Sequence, residues 1–447
     1  MLPTSKRGAL VAVALAALYF LYLSGLDRAG MLSADEPRYA AVGQSMARSG
    51  DWVTPRLWGQ PWFEKPALLY WMIAAGNKLR LNPDLAPRVP VALASVAFLV
   101  FFFWFMRREF GPSEATYSTA ILGTSAGWLT YSHVAVTDLP LAVCFSVSML
   151  LLMRRGNVVV LSGIFLGLAI LAKGLVPIAL VLPAGWFARK RLIVVLAVAM
   201  AVAAPWYALV IARNGLSFVD DFFWKQHFAR FTNASLQHVQ PFWFFIPVLL
   251  AGLFPWTPLL ATLFQRRLYT DRRAQFLAAW VVFGLVFFSI SENKLPGYLL
   301  PILPGLAALL GIELAHSRSS SWLLAMAAAL LWCIPFIAGL LPVALLNGAS
   351  HVTLAVPAWL VALGLLTGAL VFFLNRSMAV ALITGGVILG VIFLTWTTLP
   401  ALDRSVSARP YWRTHQHIQC IDSGTRSWRY GLNYYAGREV PDCDREP

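Results

Sequence analysis

Runs of apolar residues, many close to twenty long, follow one another along almost the whole chain, and every second turn between them carries arginine or lysine. A bilayer core about 30 Å thick takes about 20 apolar helical residues to cross, and it tolerates no backbone that is not hydrogen-bonded internally. The pattern predicts an all-α polytopic membrane protein. Spans are expected at residues 8–26, 89–106, 115–132, 136–153, 158–172, 174–187, 192–212, 242–264, 276–290, 296–315, 321–345, 355–374 and 379–399, about thirteen transmembrane helices. Those at 158–172, 174–187 and 276–290 are short, and the pair meeting at Lys173-Gly174 reads equally as a re-entrant hairpin. With 59% hydrophobic and 12% charged residues in 447 and a mean hydropathy of +0.68, a soluble globular chain is excluded. The net charge of +15 is scattered between spans, which favours membrane lipids as partners and argues against nucleic acid.

The positive-inside rule orients the chain. With the N-terminus cytoplasmic, Arg107-Arg108, Arg154-Arg155, Arg189-Lys190-Arg191, Arg266-Arg267 with Arg272-Arg273, Arg318 and Arg376 all fall on the cytoplasmic face, and the opposite turns around Val134 and Asn347 carry no cation. Lys6 and Arg7 before the run from Gly8 to Leu26 imitate a signal peptide, but no small-residue cleavage site follows, so this run is taken as the first span. The expected organisation is a transmembrane domain over 1–400 and a short periplasmic C-terminal segment over 401–447. The domain includes a first periplasmic loop, 27–88, and a second, 213–240, in the inner (plasma) membrane of a bacterium. Within the first loop, Pro37 to Ser49 and Pro66 to Leu79 are amphipathic stretches too short to span, suited to lying along the interface. Trp52, Trp58, Trp62 and Trp71 read as an aromatic belt at the headgroups. The tail is too small to bury much of a core alone and is expected to pack on the first loop. Cys144 and Cys333 lie inside spans as small hydrophobes. Whether Cys420 and Cys443 form a disulfide is open on sequence grounds.

Against this background the polar residues of Ala34-Asp35-Glu36-Pro37-Arg38-Tyr39-Ala40 and Trp62-Phe63-Glu64-Lys65-Pro66 stand out, because charge at a membrane boundary usually marks a working site. Asp35 is placed to act as a general base toward an acceptor hydroxyl. It and Glu36 also suit the cap and first turn of a helix entered through Pro37. Arg38 and Lys65 together suit a phosphodiester, one as a planar fork and the other as a point charge. Glu64 and His227 offer ordinary ligands for zinc or a similar divalent metal, the alternatives being a Glu–His hydrogen bond or no contact. Asp138 in Thr137-Asp138-Leu139-Pro140 is either a helix cap or a second acid. Lys173, Lys294 and Tyr298 sit where spans meet on the same face and read as a basic pocket for a lipid phosphate, with neutralisation of Lys294 by Glu292 as the alternative.

Taken together, Ala-Asp-Glu-Pro-Arg-Tyr-Ala at 34–40, Phe-Glu-Lys-Pro-Ala-Leu-Leu-Tyr-Trp at 63–71, Thr-Asp-Leu-Pro at 137–140, Ala-Lys-Gly at 172–174 and Asn-Lys-Leu-Pro-Gly-Tyr-Leu-Leu-Pro-Ile-Leu-Pro at 293–304 resemble the lipid A aminoarabinose transferases. These are relatives of the protein mannosyltransferases with the C-type glycosyltransferase fold. The resemblance runs in order from residue 1 to about 315. It implies inverting transfer of a sugar from a polyprenyl-phosphate donor of the undecaprenyl type to a periplasmic acceptor such as lipid A, another glycan or a protein. Asp35 would take the place of the family's catalytic acid, Arg38 and Lys65 that of its phosphate-binding cations, Glu64 and His227 that of a metal site, and Lys294 and Tyr298 that of the lipid-phosphate cavity. Gln226 stands before His227 where many relatives carry an acid, and the tail is much shorter than the family's soluble C-terminal domain. The acceptor is therefore not carried over. A polyprenyl-linked sugar flippase or other lipid transporter is the alternative from another class. Charge gathered at one face, rather than at the midplane on broken helices, argues against it.

Overall fold

A computed structural model describes residues 4–443 except 155, 157, 223, 225–238, 318–319, 348–355 and 423. It is a mostly helical assembly. Six of its helices are long and apolar enough to cross a membrane, and a seventh candidate is the pair Phe242–Gly252 and Thr257–Phe264, bent by 113°. Among the described residues, the thirteen expected runs do not each become one straight helix. The run at 115–132 is broken into α5 (Pro112–Gly123) and α6 (Ala126–Ser132). The run at 174–187 holds only α9 (Val176–Leu180) before α10 (Ala184–Asn214) begins. Large apolar side chains such as Trp186, Phe264, Phe373 and Leu389 point outward, as a lipid-facing surface requires.

At the centre is α7 (Asp138–Met153), buried on every side from Leu139 to Leu152, which is what a helix apolar all round demands. It packs against α8 (Val159–Lys173), which in turn packs against α10. Glycines four apart on α8 set that second contact. A Cβ on Gly163 or Gly167 would lie 2.6 Å from the Cβ of Val198 or Val202, so only a small-residue face lets the two backbones approach.

The region between the first helix, α1 (Thr4–Leu18), and α4 (Leu85–Glu109) carries two helices, α2 (Asp35–Ser49) and α3 (Leu68–Lys78), within two residues of the expected amphipathic stretches. Between them lies a tight hairpin, β1 (Arg56–Leu57) with β2 (Gln60–Pro61). Its turn puts both Trp58 and Gly59 at positive φ, the geometry of a hairpin turn that matches strand twist. Arg88, buried on α4, draws this region together by donating to the carbonyls of Leu26, Ala29 and Gly30 and to both oxygens of Glu36. The far end of α10 holds it from the other side through Trp206 to the Val53 carbonyl and Asn214 to Thr54.

The tail also docks here, as expected. Arg409 donates to Asp84 and Asp403 and to the carbonyls of Asp27 and Arg28. Tyr435 donates to Asp84, and Tyr434 to the Pro83 carbonyl. Ala408, Ile421, Leu432 and Val440 form a small core of their own, and Cys420 and Cys443 are joined in a disulfide.

Candidate active site

Pro37 in the first turn of α2 sets where the helix begins, and the two carboxylates that precede it in that turn have different fates. Neither acts as the cap: Ala34 occupies that position without a side-chain bond, and the Glu36 amide is met by Ser33. Asp35 turns along the helix to Arg38, one turn on. Arg38 also donates 3.0 Å to Glu64 and 3.0 Å to the Ala34 carbonyl. Glu64 accepts from Tyr39 at 3.3 Å and lies 3.5 Å from the Lys65 ammonium. The result is a continuous chain of charge, Asp35–Arg38–Glu64–Lys65. Its inner members are buried, and the Asp35 side chain is 43% exposed. Burial alone would weaken the Arg38 charge, but the Glu64 and then the Asp35 carboxylates outweigh it and raise its pKa. Burial, reinforced by Glu64 and Asp35, raises the Tyr39 phenol well above its usual range, so it stays a donor to Glu64. The faces of Trp62, Tyr39 and Tyr430 surround the Arg38 guanidinium at 5.2–6.0 Å, a setting that suits a planar cation.

A second cluster forms where α7 and α8 meet the segment after Ile290. Asp138 opens α7, and Lys173 at the end of α8 donates to it at 2.5 Å. Asp138 is thus an ion-pair partner, while Thr137 holds the cap position. Lys173 lies 4.3 Å from the Tyr298 ring centre. Gly297 makes the approach feasible, since a Cβ there would come within 2.7 Å of both the Asp138 carboxylate and the Tyr131 ring. The Tyr131 ring therefore lies beside Asp138, the two closing on Gly297 from the same side.

Lys294 stands apart from both. Its ammonium donates to the main-chain carbonyls of Ser291 and of Gln240, the latter at 2.9 Å. Burial lowers its pKa, with Glu292 opposing. It lines a separate groove of about 570 Å³ whose other walls include Phe242, Trp243, Ile246 and Val286. His227 lies outside the described residues, so its pairing with Glu64 is not placed. The Glu64 oxygens face Arg38, Tyr39 and Lys65. Among the described residues, the one metal-compatible group is Cys420, Asp422 and Cys443, and its two sulfurs are already bonded to each other. With both sulfurs spent on the disulfide, this group of described residues does not fit a divalent metal.

The family model for dolichyl-phosphate-mannose-protein mannosyltransferase matches residues 64–209. An undecaprenyl phosphate-alpha-4-amino-4-deoxy-L-arabinose arabinosyl transferase of Pseudomonas aeruginosa is 33% identical over 325 residues, 68% of this chain and 59% of that protein. The crystal structure of ArnT from Cupriavidus metallidurans bound to undecaprenyl phosphate superposes with a TM-score of 0.77 at 26% identity, covering 97% of this chain and 85% of that one. The chain belongs to the aminoarabinose transferase-related membrane glycosyltransferases. Arabinosyltransferase EmbB from Mycobacterium smegmatis, at 15% identity and a TM-score of 0.54 over 98% of this chain and 44% of that one, shares the fold. This family member spans about three fifths of the length of the curated relative.

Three residues near the cluster carry no site signal in the sequence. Trp62 reads as one of a belt of tryptophans. Tyr131 follows no charged motif. Tyr430 lies nearly four hundred residues from Arg38 on the strongly amphipathic helix Arg426–Ala436, and that amphipathicity is the only signal that could have marked it as a docking surface.

Proposed function

We propose that this chain is an inverting glycosyltransferase that moves a sugar from an undecaprenyl-phosphate-type donor to a lipid A-type acceptor at the periplasmic face of a bacterial inner membrane. The observation that carries this reading is the half-exposed Asp35 at the open end of a buried ion chain. The thirteen-span, N-terminus-in topology belongs to the same reading, because it puts α2, α3, Lys173 and the tail on one face.

In the transfer, the acceptor oxygen attacks the anomeric carbon as the bond from that carbon to the phosphate oxygen breaks. The bonding electrons leave with the polyprenyl phosphate. A hydroxyl acceptor passes its proton to Asp35, which Arg38 holds in position; an acceptor that is already an anionic phosphate needs only to be oriented there. Lys65 and Lys173 are each paired with an acid, so both are held in place before substrate arrives, as charges for the departing phosphate. Preorganised charge of this kind is often the largest contribution to catalysis. The groove beside Lys294, apolar with a cation among its walls, suits a polyprenyl chain.

The test is transfer of radiolabel from undecaprenyl-phosphate aminoarabinose to lipid A by the purified protein in detergent. Label should move to lipid A, and Asp35→Ala should abolish the transfer. Movement of the donor across vesicle bilayers without transfer would overturn the reading in favour of a flippase.

A further inference from the structure

The short tail is more than a clamp on the first loop, because one of its side chains is part of the wall around Arg38. The Tyr430 ring stands between two cations. The Arg38 guanidinium carbon is 5.2 Å from its centre and that of Arg426 is 5.7 Å away. Beyond Tyr430 the tail opens into a cleft of about 690 Å³ lined by Arg426, Arg429, Asn433, Glu439 and Asp442. That volume falls within the about 300–1,000 Å³ usual for small-ligand sites. The cleft shares Tyr430 with the Arg38 site, so a ligand held in it lies one aromatic ring from the catalytic cluster.

The chemistry of the lining narrows the occupant. Two arginines face two carboxylates, and Arg429 is paired with Asp442. A site without net charge does not select a bare anion, and its polar walls do not suit an acyl chain. Adjacent acids, bases and an amide present donors and acceptors side by side, which matches hydroxyl groups that both give and take hydrogen bonds, and Tyr430 offers a flat face for a sugar ring. The cleft is also held still. Arg409, Tyr434 and Tyr435 fasten the tail to Asp84 and Pro83, and the disulfide closes the loop that carries Glu439 and Asp442.

We propose that the tail cleft is the acceptor subsite and receives the hydroxyl-bearing sugars of a glycan acceptor, leaving the donor to the cations of the first loop. The proposal rests on the glycosyltransferase reading and adds to it where the acceptor sits.

Two measurements on the full-length protein in detergent test it. One is steady-state transfer from the labelled donor with lipid A varied. The other is binding of the deacylated lipid A disaccharide by saturation-transfer NMR. Arg426→Ala and Glu439→Gln, both at exposed positions, should raise the acceptor KM and the disaccharide Kd about tenfold, the scale of one lost charge-assisted hydrogen bond, while donor KM stays within about twofold. Transfer by the wild type, with acceptor KM and disaccharide Kd unmoved in both variants, overturns the subsite and leaves the proposed function standing. Binding of the disaccharide by the wild type without transfer, lost in the variants, overturns the proposed function and leaves the cleft a glycan site. A wild type that neither binds nor transfers overturns both.

Discussion

Asp35 and Glu36 are neighbours in the chain, carry the same charge and each meet an arginine, yet their surroundings are opposite. The Glu36 side chain is 2% exposed, and its oxygens take two bonds from Arg88 and one from the Ala135 amide. The Asp35 side chain is 43% exposed and leans on an arginine shared with Glu64. A charge that is fully enclosed and fully bonded has nothing left to offer a substrate, and breaking it leaves its partner stranded out of water. A charge at the open end of an ion chain is held in place and can still react. The difference separates a sealed charge from an accessible one across a single peptide bond.

The largest effect expected from this contrast is on the sealed pair. Arg88→Ala leaves Glu36 buried without its cation, a loss of about 3–5 kcal/mol for a broken buried pair. The variant should melt far below the wild type in a detergent thermal scan, and a wild-type melting curve would erase the distinction. On the open side, Asp35→Asn keeps the shape and removes the base. Activity should fall by about 10²–10⁴-fold with the melting curve unmoved, whereas a large loss of stability would make Asp35 a second Glu36.

Lys65→Ala probes the other end of the same chain. Donor KM should rise about tenfold, as for loss of one charge-assisted bond to phosphate, with little change in acceptor KM. A rise confined to the acceptor would reverse the assignment of the two substrates.

The smallest effect concerns Lys294, a buried cation held by carbonyl dipoles. Burial lowers its pKa from 10.5, so on raising pH the folded chain releases this proton before the unfolded chain does. Through the alkaline interval below 10.5 the unfolded state binds the extra proton, and the lysine's contribution to stability rises with pH. Lys294→Met should flatten that rise in melting temperature against pH. A variant with the wild-type slope would mean that another group titrates there.

Much of this contrast was visible in the residues themselves. Charged residues between long apolar runs are conspicuous, and Pro37 sets the start of α2, so Asp35, Arg38, Glu64 and Lys65 could be named as a group. The amphipathic periods of α2 and α3 located both helices within two residues. What local pattern cannot convey is partner choice. Nothing around Glu36 says that Arg88, fifty-two residues on, will enclose it, or that Lys294 will turn to main-chain carbonyls instead of joining Lys173. The bend between Gly252 and Thr257 lies inside one apolar run, where hydropathy is uniform and direction is set by packing. Tyr430 reaches Arg38 only because Arg409, Asp84 and Tyr435 bring the tail back to the first loop, a contact between residues more than three hundred apart.

That long-range fastening has a consequence for how the molecule is made. Membrane chains are synthesised and inserted in sequence order, so the first loop is exposed long before residues 409–435 exist to close over it. Until then Asp84 waits without Arg409, and Arg38 lacks one of its aromatic walls. A ribosome-bound intermediate carrying every apolar run would still have an unfinished site, and the arrival of the tail would complete the wall around Arg38.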